Sequence, residues 1–192
     1  AGGGIAIALG GDGCAVDVTG RPQRAGDHAL PGTSYEPAAG GTAAGGHGIA
    51  VRCDHADDAQ VEALFARVAA EQGGVDILIN NAAAIHDELT DKGGFWEKPS
   101  KLADLINVGV RSGYMASWHA GRMMAAQNSG LIVFTSASGA AHYSMGPAYG
   151  AHKSGMDKMA FDMATDFRLA GENVGVVSVW MGALLTDRLK AI

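Results

Sequence analysis

The segment PAYGAHKSG, residues 147–155, places a phenol and an ammonium group four residues apart, at Tyr149 and Lys153. In a helix, residues at this spacing project from the same face, so the two side chains would lie together. An unperturbed phenol has a pKa of about 10, and a neighbouring cation lowers that pKa because it favours the phenolate. The pair therefore predicts an acid/base device. The alternative is an ordinary helix with a core tyrosine and a solvated lysine.

The elements that would position this pair follow an alternating pattern of strands and helices. Short runs of apolar, β-branched residues predict strands at residues 14–19, 49–53, 76–79, 131–135 and 174–179. Helical patterns cover residues 4–9, 57–71, 101–126 and 149–170. Residues 22–46 are rich in Gly, Pro and Ala, which predicts a loop and a weak helix. Strands alternating with helices predict the α/β class, with one doubly wound parallel sheet buried on both faces.

Residues with possible chemical roles follow the predicted strands, and ligands of such sheets bind at the carboxyl ends of the strands. Ser136 directly follows the predicted strand at residues 131–135, 13 residues before Tyr149, and Asn107 lies within the long helix at 101–126. Gly2 belongs to a glycine run that enters a helix, whose first amides could hold a phosphate. The other candidates at strand ends are Gly20, Arg21, Asp54, Asn80, Asn81, the alanines 82–84 and Thr186.

Taken in order and spacing, these motifs resemble the short-chain dehydrogenase/reductase family over the whole chain. The sequence NNAA resembles the Asn-Asn-Ala-Gly of the family, and MGALLT stands where the family has Pro-Gly-x-x-x-Thr. The serine and the Tyr-x-x-x-Lys pair match directly. The resemblance implies a single Rossmann-like domain over residues 1–192 that binds NADP(H) and interconverts a small-molecule carbonyl and an alcohol.

The resemblance also implies a role for each matching residue. Tyr149 would be the proton donor and acceptor, and Ser136 would hydrogen-bond the substrate oxygen. Lys153 would bind the nicotinamide ribose and lower the pKa of the tyrosine, while Asn107 would kink its helix and hold a water that links Lys153 to solvent. The cofactor-binding residues implied are Gly2, Arg21, Asp54, Asn81, Ala82, Tyr149, Lys153 and Thr186.

The end of the predicted strand at residues 14–19 bears on the choice of cofactor. An NAD-binding sheet of this kind places an acid there to bind the ribose 2′-hydroxyl, and Gly20 cannot do so. Arg21 follows with a planar fork that suits a phosphate, so we expect NADP(H) in preference to NAD(H). The alternative is a solvated charge at a strand end.

Several alternatives stay open at this point. Asp54 either contacts the adenine or only caps the helix near residue 57, and Ser136 alone could be a strand-end cap. Ala83 replaces a family glycine and Met181 a family proline, which tightens one loop and loosens another. A non-catalytic nucleotide-binding or scaffold protein on the same fold is therefore the rival interpretation, because fold does not fix function.

Composition limits the partners. The net charge is −6 and no basic cluster occurs, which argues against a nucleic-acid surface. The seven histidines and two cysteines show no metal-ligand spacing, so no metal is expected. The longest apolar stretch, residues 174–185, is shorter than the roughly 20 residues that a membrane span needs. Cysteines without a disulfide framework fit a reducing compartment, and we expect a cytoplasmic protein.

Two further expectations concern what surrounds this chain. The helices at 101–126 and 149–170 carry Met, Phe and Trp on more than one face, and family members pair them, so a homodimer or homotetramer is expected. The glycine run lacks a preceding strand, and the chain stops soon after its last strand. We therefore expect the first strand and a C-terminal segment to lie outside these 192 residues.

Overall fold

The computed structural model describes residues 1–21 and 34–184. The described residues divide into two compact units. One unit holds Ala1–Leu64 and residues 183–184, and the other holds Phe65–Gly182.

The first unit begins with helix α1 (Gly2–Gly11) and strand β1 (Ala15–Gly20), followed by helix α2 (Tyr35–Ala43) and strand β2 (His47–Arg52). The two strands are parallel, in a register that runs from Ala15↔His47 to Gly20↔Arg52. Helices α1 and α2 touch through glycine: a methyl group built on Gly10 would lie 2.5 Å from the Gly41 backbone. Helix α2 is the weak helix expected within 22–46, and the loop expected before it lies largely outside the described residues.

Helix α3 (Asp58–Gln72) begins after an aspartate cap. The Asp57 carboxylate accepts hydrogen bonds from the backbone N–H groups of Ala59 at 3.0 Å and Gln60 at 3.4 Å. Its apolar stripe is buried as predicted, through Val61, Leu64, Phe65 and Val68. Asp57, rather than Asp54, is therefore the residue that caps this helix.

The second unit is built on three parallel strands: β3 (Ile77–Asn80), β4 (Gly130–Ser136) and β5 (Val174–Trp180). Their order is β3–β4–β5, so β4 lies in the middle. Ile132 and Phe134 are completely buried on one face of β4, and Thr135 on the opposite face is 3% exposed. On β5, by contrast, Val177 and Val179 are exposed. Burial on both faces therefore holds for the middle strand but not for this edge strand.

Helices α4 (Ser112–Gln127) and α5 (Pro147–Ala170) complete the second unit, joined by β4. Helix α5 begins where Gly146 takes a φ of 96° and Pro147 supplies the first helical residue. It ends at Gly171, whose φ of 78° is left-handed. Proline at the start and glycine just past the end are the favoured signals for these two positions, so the sequence sets both ends of the helix.

The single helix predicted at residues 101–126 is wrong in its first half. The chain instead forms a 3-10 helix (Ser100–Ala103), then a π-helix (Ile106–Arg111), and only then α4. A π-helix inserts extra chain per turn and changes which residues face a neighbour. Gly109 lies at its buried centre, against α5. Two further 3-10 helices, Asp87–Thr90 and Ser138–Ala140, follow β3 and β4 respectively.

Among the described residues, none of the helices has the length and apolarity that a membrane crossing requires.

Candidate active site

Helix α5 presents Tyr149 to the core of the second unit. The side chain is 9% exposed and packs with Leu89, Leu102 and Leu105. Gly139 leaves room for the ring, because a methyl group built there would lie 2.5 Å from Tyr149 Cε1. The Tyr149 ring is therefore held in place by apolar contacts in the core.

Lys153 is held beside that ring by the backbone of β4. Its Nζ donates a 2.8 Å hydrogen bond to the carbonyl oxygen of Thr135 and lies 5.6 Å from the centre of the Tyr149 ring. Burial lowers the pKa of Lys153 to about 8, while the charge of Asp157 raises it. The side chain is thus a buried cation over an aromatic face, a favourable arrangement.

The direction of the pKa shift of Tyr149 differs from the one that the helix spacing predicts. Burial raises the pKa of Tyr149. The Lys153 ammonium group points to the Thr135 carbonyl and lies over the ring, and desolvation of the phenolate is the dominant effect. The expectation that Lys153 lowers the pKa of the phenol is therefore corrected for this structure.

Ser136 connects the end of β4 to the same helix. It is the last residue of β4, 2% exposed, and its Oγ donates a 3.3 Å hydrogen bond to the backbone carbonyl of Lys153. Thr135 thus accepts a hydrogen bond from the side chain of Lys153, and its neighbour Ser136 donates one to the Lys153 backbone. The structure brings Ser136, Tyr149 and Lys153 together as the sequence predicts.

Asn107 lies in the π-helix and is exposed. This segment packs against α5 at two glycines: Gly109 meets the His152 ring, and a methyl group built on Gly155 would lie 3.1 Å from Val110 Cγ2. A distorted helix at Asn107 was expected, and the π-helix is that distortion. The water-holding role of Asn107 stays a prediction.

The residues after β3 lie close to β4. The Thr135 hydroxyl donates to the Asn80 carbonyl at 3.3 Å and lies 3.5 Å from the Asn81 side-chain oxygen. The Asn80 amide donates to Ser117 Oγ at 2.9 Å, so Asn80 is a buried structural residue. Asn81 and Ala82 are half-buried. Of the predicted cofactor residues that follow β3, Asn81 therefore lies beside the end of β4.

The remaining predicted cofactor residues belong to the first unit or fall outside the described chain. Gly2 is the first residue of α1, and Arg21 is exposed directly after β1. The Asp54 carboxylate accepts a 3.0 Å hydrogen bond from the Ala56 N–H and so stabilises a local turn. Thr186 lies outside the described residues.

Two residues of the site escaped the sequence reasoning. Thr135 supplies the carbonyl that holds Lys153, and Asp157 supplies the nearby negative charge. The position of Thr135 directly before Ser136 was a usable signal. Asp157 could have been found from its i+4 spacing after Lys153.

Comparison with known proteins decides the family. The sequence profile described as "short chain dehydrogenase" matches residues 2–192. The chain belongs to the short-chain dehydrogenase/reductase family. It is 39% identical over 150 residues to dehydrogenase/reductase SDR family member 1 of Homo sapiens. The aligned region covers 76% of this chain and 47% of the human protein.

Other members of the family agree in sequence and in fold. The Mus musculus protein of the same name is 35% identical over 191 residues, covering 97% of this chain and 58% of its own length. The crystal structure of a metagenomic short-chain oxidoreductase in complex with NADP superposes with a TM-score of 0.78 at 26% identity, covering 94% of this chain and 76% of that one. The chain thus spans about half the length of the curated relatives that it matches.

Family membership confirms the predicted fold class. The chain has the Rossmann-like α/β fold of this family, with parallel strands and covering helices. It is a short-chain dehydrogenase/reductase, an oxidoreductase family that uses a nicotinamide cofactor and acts on small molecules.

Proposed function

We propose that this short-chain dehydrogenase/reductase is an NADP(H)-dependent oxidoreductase that interconverts a carbonyl and an alcohol, with Tyr149 as the acid/base. The observation that carries the proposal is the buried grouping at the end of β4. There, Lys153 Nζ bonds the Thr135 carbonyl, lies over the Tyr149 ring, and adjoins Ser136 through its backbone. A scaffold has no need of a buried ammonium group against a phenol.

The chain offers donors that fit a nicotinamide ribose. An ammonium group has three N–H donors, and within the described residues Lys153 uses one of them, on Thr135. The remaining donors would bind ribose hydroxyls. When bound, the nicotinamide supplies or accepts the hydride, and the protein contributes position and electrostatics.

In the reducing direction, Tyr149 donates its hydroxyl proton to the substrate oxygen as negative charge develops there. The hydroxyl is protonated at neutral pH, as an ordinary phenol pKa of about 10 already requires, and burial raises that pKa further. The Lys153 ammonium group, 5.6 Å from the ring centre, would offset part of the cost of the buried phenolate that is left behind, although desolvation has the larger effect. Ser136 would hydrogen-bond the substrate oxygen and hold it in line with the phenol. In the oxidising direction the same groups accept the proton.

The substrate would enter beside Leu89, which packs with Tyr149 and also lines an open cleft of about 430 Å³. This volume suits a small molecule. The cleft is formed by two segments that follow β3 and β4, and its other lining residues are Thr90, Asp91, Lys92, Gly93, Lys98, Tyr143 and Met145.

The preference for NADP(H) is supported by the end of β1. Gly20 has no side-chain carboxylate that could bind a ribose 2′-hydroxyl. The exposed Arg21 can bind a 2′-phosphate through two parallel N–H donors. The metagenomic relative described above was solved with NADP. We further propose that the protein works in the cytoplasm as a homodimer or homotetramer, on a small-molecule substrate and without nucleic acid.

The test is oxidation of NADPH, and of NADH at matched concentration, against a panel of aldehydes, ketones and quinones. The proposal predicts turnover of at least one carbonyl class with NADPH. Tight NADPH binding with no turnover on any class would instead favour the non-catalytic scaffold.

A further inference from the structure

Helix α5 carries a carboxylate one turn after Lys153. The Asp157 Oδ2 atom accepts a 2.9 Å hydrogen bond from the indole N–H of Trp180, at the end of β5. Its Oδ1 atom is buried and has no hydrogen-bond partner among the described residues. A buried carboxylate oxygen without a donor costs free energy, and so requires an explanation.

The nearest explanation lies on the same helix. Residues at i and i+4 share a face, which places Asp157 on the side of α5 that carries Lys153. Lys153 as a whole residue is 9% exposed, and its ammonium group donates its hydrogen bond to a neutral carbonyl. Burial lowers the pKa of Lys153 to about 8, and the Asp157 charge opposes that effect. An opposite charge nearby is what keeps a buried cation charged.

The other groups around Lys153 supply no negative charge. On α5, burial raises the pKa of Tyr149, and burial together with the Lys153 charge lowers the pKa of His152 to about 4, so both are neutral at pH 7. Strand β4 contributes the neutral Thr135 and Ser136. The charged residue of the π-helix, Arg111, is exposed and cationic.

We propose that Asp157, oriented by the indole of Trp180, is a positioning residue that keeps the Lys153 ammonium group charged at neutral pH. The Oδ1 atom, which has no hydrogen-bond donor among the described residues, is then the atom whose charge acts on the lysine. The consequence for proton transfer at Tyr149 rests on the proposed function, whereas the charge on Lys153 does not.

The direct test is an NMR titration of Lys153 in protein labelled with ¹³C at the lysine Cε atoms. The Lys153→Met variant identifies the Lys153 signal, because that signal disappears from its spectrum. Asp157→Asn keeps the shape and can still accept from Trp180, but removes the charge. We expect the Lys153 midpoint to fall by about one pH unit in this variant. Asp157→Glu, which restores the charge, should return it toward the wild-type value.

The matched control is Asp162→Asn. Asp162 lies on the same helix, is exposed, and pairs with Lys158, so the same change in charge should leave the Lys153 midpoint where it was. Trp180→Phe is the second variant, needed if Asp157→Asn does not fold. This change removes the hydrogen bond to Asp157 Oδ2 but keeps the carboxylate charge. The Lys153 midpoint should therefore fall by less than it does in Asp157→Asn.

Activity gives an independent readout. Turnover of the Asp157→Asn variant should fall by about threefold near pH 7.5 and recover near pH 6, where Lys153 regains its proton. An unchanged Lys153 midpoint in Asp157→Asn, or an equal shift in the Asp162→Asn control, would overturn the proposal. If wild type shows no turnover but the NMR shift appears, the charge-holding role stands and the proposed function fails.

Discussion

At the scale of single residues, the site works through a buried cation whose surroundings are almost entirely neutral. Lys153 is bonded to a backbone carbonyl, lies over an aromatic ring, and adjoins a histidine that burial keeps uncharged. Because charge is costly in such an environment, small changes in nearby charge move its protonation strongly. The same burial keeps Tyr149 protonated, which fits a residue that begins the reducing reaction as an acid.

We propose that cofactor choice also depends on one residue, Arg21. Arg21→Ala removes the guanidinium fork that would bind a 2′-phosphate, and leaves the neighbouring Gly20 unchanged. We expect the affinity for NADPH to fall by roughly tenfold or more, because a charge-assisted pair contributes about 1.5–3 kcal/mol. The affinity for NADH should change little. Fluorescence titration of both cofactors measures the ratio.

Arg52→Ala is the matched control for that variant. Arg52 is exposed and ends β2 of the same unit, so its removal makes an equal change in net charge. Equal affinities for both cofactors in the unaltered protein, or an equal loss in the two arginine variants, would refute the role of Arg21.

At the scale of elements, helix α5 packs directly against the π-helix. A methyl group built on Gly109 would clash with the Cδ2 and Nε2 atoms of His152. His152 is fully buried, and neither ring nitrogen has a hydrogen-bond partner among the described residues. The ring also meets Tyr149 edge to face, at 6.4 Å between centres. His152 therefore packs as a neutral side chain between the phenol and the π-helix.

This packing predicts a pH-dependent stability. The folded pKa of His152 is about 4, below the ordinary value of 6.5, so the unfolded chain takes up the proton first as pH falls. The stability that depends on neutral His152 is complete above pH 6.5 and is lost progressively down to about pH 4. The loss amounts to about 3 kcal/mol. Urea unfolding at several pH values measures it.

His152→Leu should flatten that dependence, because the buried side chain no longer titrates. His142→Leu is the control, since His142 is exposed and belongs to the same unit. A pH dependence between 6.5 and 4 that is the same in wild type and in His152→Leu would contradict the assignment to His152.

Most of the helices and strands were predictable from the sequence, and the predictions that were wrong have physical causes. All five strands lie within two residues of their predicted ends, because runs such as residues 131–135 are apolar and β-branched. The π-helix was missed because its apolar residues fit a helical period until Gly109 meets His152, a contact between distant segments. Tyr149 and Lys153 were found from spacing, but the direction of the Tyr149 shift depends on burial, which spacing does not report.

At the scale of the whole molecule, helices α4 and α5 leave large apolar side chains exposed. Trp118 is 46% exposed on α4, and Phe161 and Leu169 are 68% and 78% exposed on α5. Exposed apolar side chains of this size on neighbouring helices are typical of a contact with another subunit. We expect a symmetric dimer or tetramer.

Light scattering coupled to size-exclusion chromatography measures the assembly. Phe161→Glu places a charge in the expected contact and should lower the mass toward that of one chain, with the circular dichroism spectrum retained. Phe95→Glu changes an equally exposed aromatic outside these helices, and should leave the mass unchanged. A wild-type mass of one chain in dilute native solution would rule out this assembly.

The central claim is that Tyr149 transfers the proton in a carbonyl–alcohol reaction, and Tyr149→Phe tests it most directly. The variant keeps the ring packed against Leu89, Leu102 and Leu105 but loses the ionisable hydroxyl. NADPH affinity and turnover are measured on the same preparation, with a carbonyl that wild type reduces. The account predicts cofactor binding within a few-fold of wild type and turnover lower by about 10² or more. Turnover equal to wild type in the phenylalanine variant would contradict it.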